Sequence, residues 1–314
     1  MHPPHGIMFH HFHEDDGGTA HRISQGSIAA GELARLIEHI GPERILPARE
    51  FLHRAQIGAL GSGDVCLTFD DALRCQYDLA LPVLRRYDLT AFWFLYTSVL
   101  QGHPQPLEIY RHFRTTQFNS LDAFYAAFFE ALKHSPDALL AEALLEEFNP
   151  RAYLTAFPFY SDADRKFRFV RDEILGPVRY QSLMDALIAD SGMDVRAIAR
   201  NLWLDDGFVR ELHSDDHVIG LHSHTHPTRL EHLKEDEQRE EYFENYAYLS
   251  NLLDGERPLA MSHPCNSYNG ATLTILRELG IVLGFCSNML RPVAPTSLEY
   301  PREDHANLVK RLAA

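Results

Sequence analysis

The chain has 314 residues, a length that fits two domains, or one α/β barrel that carries an insertion. Hydrophobic residues make up 45% and charged residues 23%, a globular composition that excludes a disordered, collagen-like or coiled-coil chain. The formal net charge is −15, and the sequence has no run of basic residues that could follow a phosphate backbone. Both features argue against nucleic acid as a partner.

Short, continuous apolar runs bounded by polar or turn residues predict buried parallel strands. They are Gly6–Phe9, Val65–Phe69, Thr90–Tyr96, Val218–Leu221, Pro258–Met261 and Ile281–Phe285. Helical patterns lie between these runs, at Ala30–His39, Ala72–Arg86, Glu235–Leu253 and Ala271–Leu279. This alternation predicts βα units, and hence an α/β fold with a parallel sheet or barrel.

The stretch from residue 102 to residue 214 breaks this rhythm, because it offers successive helical patterns and no strand. Its first predicted helix has Asn119 as N-cap and carries an apolar stripe that includes Phe124, Phe128 and Leu132. The other predicted helices are Ala138–Phe148, a segment around Arg168–Ala189, and Val195–Leu212.

We therefore expect an α/β barrel formed by residues 1–101 and 215–314, with residues 102–214 as a helical insertion. Both edges of the insertion belong at one end of the barrel, so we expect it to cover the catalytic face. Its apolar stripes must be buried against one another, the barrel rim or a second subunit. In the last case the insertion makes the protein a homo-oligomer.

The cysteines and the termini bear on location. Cys66, Cys75, Cys265 and Cys286 form no Cys-x-x-Cys pair and are too few for a disulfide framework, so we expect reduced thiols. The first residues do not resemble a secretory signal, which favours a cytoplasmic location. The most apolar segment, Ala91–Tyr96, is far shorter than the roughly 20 residues that cross a bilayer, so we expect no membrane span.

Two adjacent carboxylates, Asp70 and Asp71, end the second predicted strand immediately before a helix. In α/β folds the carboxyl ends of the strands form the ligand-binding edge. Helix capping is the alternative interpretation, since Asp is a favoured N-cap residue. Two like charges side by side are stable mainly near a cation, which favours a metal site.

Three histidines follow the predicted strand Val218–Leu221. His222 and His226 are four residues apart, a spacing that lets both imidazoles reach one ion, whereas His224 points away if the segment stays extended. Two histidines and one carboxylate form a three-ligand site with a position open to water, which is the catalytic arrangement. The other carboxylate of the Asp pair is then a candidate general base.

These motifs resemble the polysaccharide deacetylases, carbohydrate esterase family 4. The resemblance rests on Thr-Phe-Asp-Asp at 68–71, His-Ser-His-Thr-His at 222–226 and Pro-Cys-Asn-Ser-Tyr-Asn at 264–269. It implies a distorted (β/α) barrel, Asp70 as base, and Asp71, His222 and His226 as metal ligands. It also implies that a backbone N–H near Cys265, just after Pro264, helps to hold the oxyanion.

The sequence departs from the family pattern at three places. Ser262 and His263 precede Pro264 where many relatives have an arginine, and Asn266 stands at a glycine position, although asparagine tolerates a left-handed backbone. The late Leu-x-His motif that supplies the general acid is not visible at the C-terminus.

Substitutes for these missing groups can be named. Residues 7–10 resemble the opening strand of a permuted branch in which an early histidine is the acid, so His10 is the candidate and His11 its nearest competitor. At the other end, Arg302 is a candidate to orient Asp70, and His305 to donate a proton.

We therefore expect a metal-dependent hydrolase that removes an N-acyl group, most simply acetyl, from an amino sugar or a saccharide precursor. Zinc is the default ion, and cobalt, nickel, manganese or iron also suit two imidazoles and a carboxylate. Two alternatives stay open: hydrolysis of a linear or cyclic non-sugar amide on the same barrel, and a saccharide-binding protein with a relic site.

Overall fold

The computed structural model describes residues 3–14, 26–155, 160–290 and 294–312. The strands are β1 (His5–Phe9), β2 (Phe12–His13), β3 (Ile28–Ala29), β4 (Val65–Asp70), β5 (Phe92–Leu95), β6 (Val218–Leu221), β7 (Ala260–Ser262), β8 (Leu283–Phe285) and β9 (Arg302–Asp304).

The residues that the structure describes also form thirteen α-helices. They are α1 (Ala30–Ile40), α2 (Ala48–Gln56), α3 (Leu81–Arg86), α4 (Pro106–Thr116), α5 (Leu121–Lys133), α6 (Ala138–Glu146), α7 (Asp162–Phe169), α8 (Gly176–Ser191), α9 (Val195–Leu202), α10 (Asp206–Ser214), α11 (Glu235–Leu252), α12 (Gly270–Glu278) and α13 (His305–Leu312).

Seven parallel strands form the main sheet, in the order β8-β7-β6-β5-β4-β1-β9. The two edges meet through a single segment of chain. Tyr300 bridges in parallel to Phe285 of β8, and two residues later Arg302 pairs with Gly6 of β1. The sheet is therefore nearly closed into a ring, and the predicted (β/α) barrel is confirmed.

Two glycines make room for large side chains between the strands. A Cβ at Gly220 would lie 2.7 Å from the ring of Phe94, and one at Gly6 would lie 3.1 Å from Cγ of Arg302. The first distance is shorter than real Cβ contacts and the second is tighter than most of them, so neither position tolerates a side chain unless its neighbour moves. Gly6 thus leaves space for the stem of Arg302, whose side chain is 0% exposed.

The chain separates by internal contacts into two compact units. Within the described residues, one unit holds the barrel strands and comprises residues 3–14, 26–105, 199–290 and 294–312. The other, residues 106–155 and 160–198, is helical. In the helical unit the stripe on α5 is buried internally, since Phe124 and Phe128 pack on Phe167 with ring centroids 5.5 and 4.9 Å apart.

The helix predicted at Ala72–Arg86 begins later than expected. Asp71 and Ala72 have positive φ angles of 78° and 55°, which are incompatible with a right-handed helix. The following residues include a π-helical segment, Gln76–Ala80, that continues into α3. The early turn keeps Asp71 at the end of the strand.

Two other helix predictions are corrected by the structure. The segment predicted as one helix, Val195–Leu212, is two helices, because Trp203 between them bridges to Leu73 and the Leu204 N–H donates to Ala72 O. The N-cap of α5 is Ser120 instead of Asn119.

The Ser120 Oγ accepts the Ala123 N–H at 3.1 Å, since Leu121 is the first helical residue.

None of the described helices is both long and apolar enough to cross a membrane.

Candidate metal and catalytic site

The candidate residues lie where β1, β4, β6 and β7 end, and the backbone there is strained. Asp71, Ser223, His226 and Cys265 all have positive φ, at 78°, 61°, 57° and 49°. Non-glycine residues in this region cost on the order of 1 kcal/mol or more each and tend to cluster at functional sites. These positive φ angles turn the chain sharply where the strands end, so that side chains from separate strands converge.

Asp71, His222 and His226 form a compact triangle. One ligand atom from each lies within 4.8 Å of the other two. The Asp71 Oδ1 is 3.4 Å from His222 Nε2 and 3.3 Å from His226 Nε2. Burial raises the pKa of Asp71, but His226 and His222 lower it by more, so the net pKa lies well below its ordinary value. Asp71 is therefore a carboxylate between two imidazoles.

Side chains of helix α11 hold the loop of residues 222–226 by accepting hydrogen bonds from the backbone of that loop. Asn245 is 0% exposed, and its Oδ1 accepts the His222 N–H at 3.0 Å while its Nδ2 donates to Leu95 O at 2.9 Å. Farther along the loop, Glu241 Oε2 accepts the N–H groups of His224 and Thr225, each at 2.8 Å. These bonds fix the loop that carries both histidines of the triangle.

Asp70 lies beside the triangle and is held by Arg302. Arg302 Nη1 donates to Asp70 Oδ1 at 2.7 Å, and its Nε donates to Cys286 O at 2.8 Å. Burial raises the pKa of Asp70, but the charges of Arg302 and His222 lower it more, so the net pKa is below its ordinary value. Asp70 is thus ionised at neutral pH, as a general base must be.

His10 follows β1 and faces the two carboxylates. Its Nε2 is 3.8 Å from Asp70 Oδ2 and 3.9 Å from Asp71 Oδ2, and its side chain is 30% exposed. Gln76 fixes its backbone, because Nε2 of this buried side chain donates to His10 O at 2.8 Å and to Asp70 O at 2.6 Å. One amide therefore ties the candidate acid to the candidate base.

The loop after β7 adopts the left-handed geometry expected at Asn266. Cys265 and Asn266 have φ angles of 49° and 58°, and Asn266 Oδ1 accepts the Ser287 N–H at 2.9 Å. Cys265 is exposed and Pro264 is buried. The asparagine thus takes the backbone conformation that a glycine would supply, and it adds a bond to the next loop.

Three other histidines make contacts elsewhere. His224 Nδ1 is 2.9 Å from Thr97 Oγ1 and its Nε2 is 3.1 Å from Glu244. His305 is buried, with Nδ1 3.1 Å from Met8 O and its ring stacked on Phe9.

His263 is buried with Nε2 2.9 Å from Leu298 O. Burial lowers the pKa of His263 to about 3, so this imidazole is neutral.

A family model for polysaccharide deacetylases matches residues 58–113 and 195–284. The two matched segments contain Asp70 and Asp71 in the first, and His222, His226 and Pro264 in the second. The chain matches the polysaccharide deacetylase family over these two segments. The family model is that of deacetylases, hydrolases that remove acetyl groups, and the resemblance seen in the sequence is confirmed.

Solved structures of deacetylases share the fold of this chain over at least 95% of its length. The Streptococcus pyogenes deacetylase PplD in complex with acetate has a TM-score of 0.56 and 15% identity, covering 98% of this chain and 97% of that one. IcaB from Ammonifex degensii has a TM-score of 0.55 and 12% identity, with 100% and 96% covered.

A de-N-acetylase from Aggregatibacter actinomycetemcomitans has a TM-score of 0.52 and 12% identity, covering 95% of this chain and 93% of that one. No curated protein sequence matches the chain significantly.

Four residues that surround the site were not predicted from the sequence to contact it. They are Gln76, Glu241, Asn245 and Ser262, and each bonds to a residue of the site or to the loop that carries the two histidines. Single polar residues on helices or at strand ends look like ordinary capping or surface groups. Only knowledge of the strand order shows which of them meet.

Proposed function

We propose that the protein is a metal-dependent de-N-acetylase that acts on an N-acetylated amino sugar within a saccharide. The observation that carries this proposal is the triangle of Asp71, His222 and His226, with ionised Asp70 beside it. The match to the polysaccharide deacetylase family supports the acetyl group, and the PplD structure, which is a complex with acetate, supports it further.

The residues of the triangle fit a divalent metal ion. Asp71 Oδ1 is buried, and no described residue donates a hydrogen bond of good geometry to it, although two imidazole Nε2 atoms face it. A buried carboxylate oxygen without a donor is costly unless a cation is nearby. One carboxylate and two imidazoles suit zinc first, and cobalt, nickel, manganese or iron next.

When bound at Asp71, His222 and His226, such an ion supplies Lewis-acid polarisation of a carbonyl oxygen and acidifies water. Asp70 accepts the proton of the attacking water, because Arg302 holds it ionised. We assign the peptide N–H of Cys265 to the oxyanion, in a loop whose left-handed turn presents the backbone.

His10 protonates the leaving amine. It is the only histidine among the described residues whose ring nitrogen lies within 4 Å of both Asp70 and Asp71 without belonging to the triangle. Its partial exposure leaves space for a substrate on the solvent side, whereas His263 and His305 are buried and have backbone carbonyl partners. The geometry thus favours His10 over those two competitors.

The proposal is tested by metal analysis together with acetate release from N-acetylglucosamine oligomers, with small linear and cyclic amides as comparison substrates. We expect about one ion per chain, acetate release from the saccharides, and loss of the ion in His222→Ala. The matched control is His224→Ala, which removes a neighbouring imidazole outside the triangle and should retain the ion. Equal metal content in both variants would overturn the ligand assignment.

Asp70→Asn separates base from ligand. It keeps the shape of the side chain and should lower turnover by roughly 100-fold or more while metal is retained, because general-base catalysis contributes about that much. Asp71→Asn should instead lose the metal. If metal disappears in Asp70→Asn, the two roles are reversed.

A further inference from the structure

Ser262 ends β7 between two residues of the site. Its Oγ lies 2.7 Å from His222 Nδ1 and 3.2 Å from Asp70 Oδ1, and its backbone carbonyl oxygen lies 2.9 Å from the same Nδ1. The residue is 0% exposed, so water does not compete for these contacts. Among the described side chains, it is the hydroxyl that contacts both Asp70 and His222.

The direction of each hydrogen bond follows from what the atoms can do. A carbonyl oxygen can only accept, so His222 Nδ1 carries the hydrogen and donates it to Ser262 O. The same N–H also faces the hydroxyl oxygen, which therefore accepts. The hydroxyl hydrogen is then directed to Asp70 Oδ1, which as part of a carboxylate only accepts.

In the neutral imidazole, the form that binds a metal, this assignment leaves His222 Nε2 without a hydrogen. That atom faces Asp71 Oδ1 at 3.4 Å, and a ring nitrogen with a free lone pair is the form that binds a metal. Ser262 therefore holds the histidine in the tautomer and ring orientation that a ligand needs.

The same hydroxyl also orients Asp70. Oδ1 accepts from both Ser262 and Arg302, at 3.2 and 2.7 Å. Oδ2 points the other way, 3.8 Å from His10 Nε2 and 4.0 Å from His222 Nε2. With Oδ1 occupied by two donors, Oδ2 is the oxygen that has capacity for a proton.

We propose that Ser262 is a positioning residue that couples the general base to a metal ligand, fixing the tautomer of His222 and reserving Asp70 Oδ2 for the proton of the attacking water. The inference rests on the proposed function, because it requires that Asp70 is the base and His222 a ligand. It adds a residue at the position where many family members are expected to have an arginine.

The test compares Ser262→Ala with Thr272→Val. Thr272 is also 0% exposed, and its hydroxyl bonds to Gln238 at 2.6 Å, so Thr272→Val removes an equally buried hydroxyl from helix α12. Metal-free protein is titrated with Co²⁺ and followed by its visible absorption. Turnover on N-acetylglucosamine oligomers is then measured at saturating Co²⁺.

For Ser262→Ala we expect Co²⁺ affinity to fall by roughly 10-fold, with a changed absorption band, since loss of a group that orients a ligand typically costs 10- to 100-fold. The kcat should fall by about 10-fold or more while KM stays within about 2-fold, because the hydroxyl orients the base without contacting substrate. Thr272→Val should keep the affinity, the band and the kcat of the unmodified protein.

The outcomes separate the two proposals. If the unmodified protein neither binds Co²⁺ nor releases acetate, the proposed function fails and the role of Ser262 with it. If it does both, and Ser262→Ala matches Thr272→Val in affinity, absorption and kcat, the function stands and the positioning role is refuted. A loss of kcat and affinity confined to Ser262→Ala supports the coupling.

Discussion

Replacing Arg302 by methionine should show how strongly the structure depends on the counter-charge of Asp70. The side chain is fully buried, and Nη1 lies 2.7 Å from Asp70 Oδ1. At an effective dielectric constant of about 20, two unit charges at that distance attract by about 6 kcal/mol, part of which offsets the cost of burying both. Removing one partner leaves a buried charge alone, which typically costs about 3–5 kcal/mol.

We therefore expect Arg302→Met to lower the free energy of unfolding by about 3–5 kcal/mol at pH 7. The loss should shrink toward acidic pH. Arg302 lowers the pKa of Asp70, and stability from a carboxylate whose folded pKa is depressed is present above its unfolded pKa and lost as the pH falls through the folded value. Without Arg302, Asp70 takes up a proton more readily, and the uncompensated charge disappears.

The assay is urea unfolding of metal-free protein followed by circular dichroism, arranged as a double-mutant cycle with Asp70→Asn. In the Asp70→Asn background Arg302→Met removes a buried guanidinium that has already lost its carboxylate partner, so it should cost less, with a coupling energy of about 2 kcal/mol or more. A coupling near zero would show that the two side chains do not stabilise each other, and would refute the account of Asp70 as an anchored, ionised base.

Other variants test separate parts of the molecule. His10→Ala should slow acetamides, whose amines leave poorly, far more than activated acetate esters; equal losses in the two kinetic assays would remove the acid from His10. Gln76→Leu should lower kcat by roughly 10-fold or more with KM little changed, because its amide holds the backbones of acid and base; kcat and KM near the original values would contradict this. Burial lowers the pKa of His217 to about 4 and its Nδ1 accepts the Ala91 N–H, so about 3 kcal/mol of stability present above pH 6.5 should be lost as the pH falls to 4. Urea unfolding of His217→Asn should show a flatter pH dependence, and an equal slope would assign the loss to other groups. We also propose that the helical unit, residues 106–198 of the predicted insertion 102–214, selects the substrate. Replacing that unit by a Gly/Ser linker should keep Co²⁺ binding and broaden the range of saccharides hydrolysed, and unchanged selectivity would make it a structural element.

The strands that lead to Asp71 and His222 were predictable because each is a continuous apolar run followed at once by polar residues. Such a pattern can be read from neighbouring residues alone. The triangle was predictable for a similar reason, since Asp71 lies in one recognisable motif and the two histidines, four residues apart, lie in another. Arg302 was named as a candidate partner of Asp70, and the structure brings the two together.

The surrounding residues were not predictable, because their bonds join distant parts of the chain. Gln76 meets His10 across 66 residues, and Ser262 meets Asp70 across 192. No periodicity or spacing encodes such a contact, since it depends on strand order in the sheet. The late start of the helix after Asp71 was missed for another reason: helical propensity does not reveal that two residues adopt positive φ.

The segment that completes the ring of strands is also the one that delivers the guanidinium to Asp70. Arg302 lies on β9 and pairs with Gly6 of β1, two residues after Tyr300 bridges to β8. It is 232 residues away from Asp70 in the sequence. Detachment of β9 would leave the other strands of the sheet in place but would remove the guanidinium from Asp70. Under the proposed function, we therefore expect hydrolysis to be lost before the rest of the barrel unfolds.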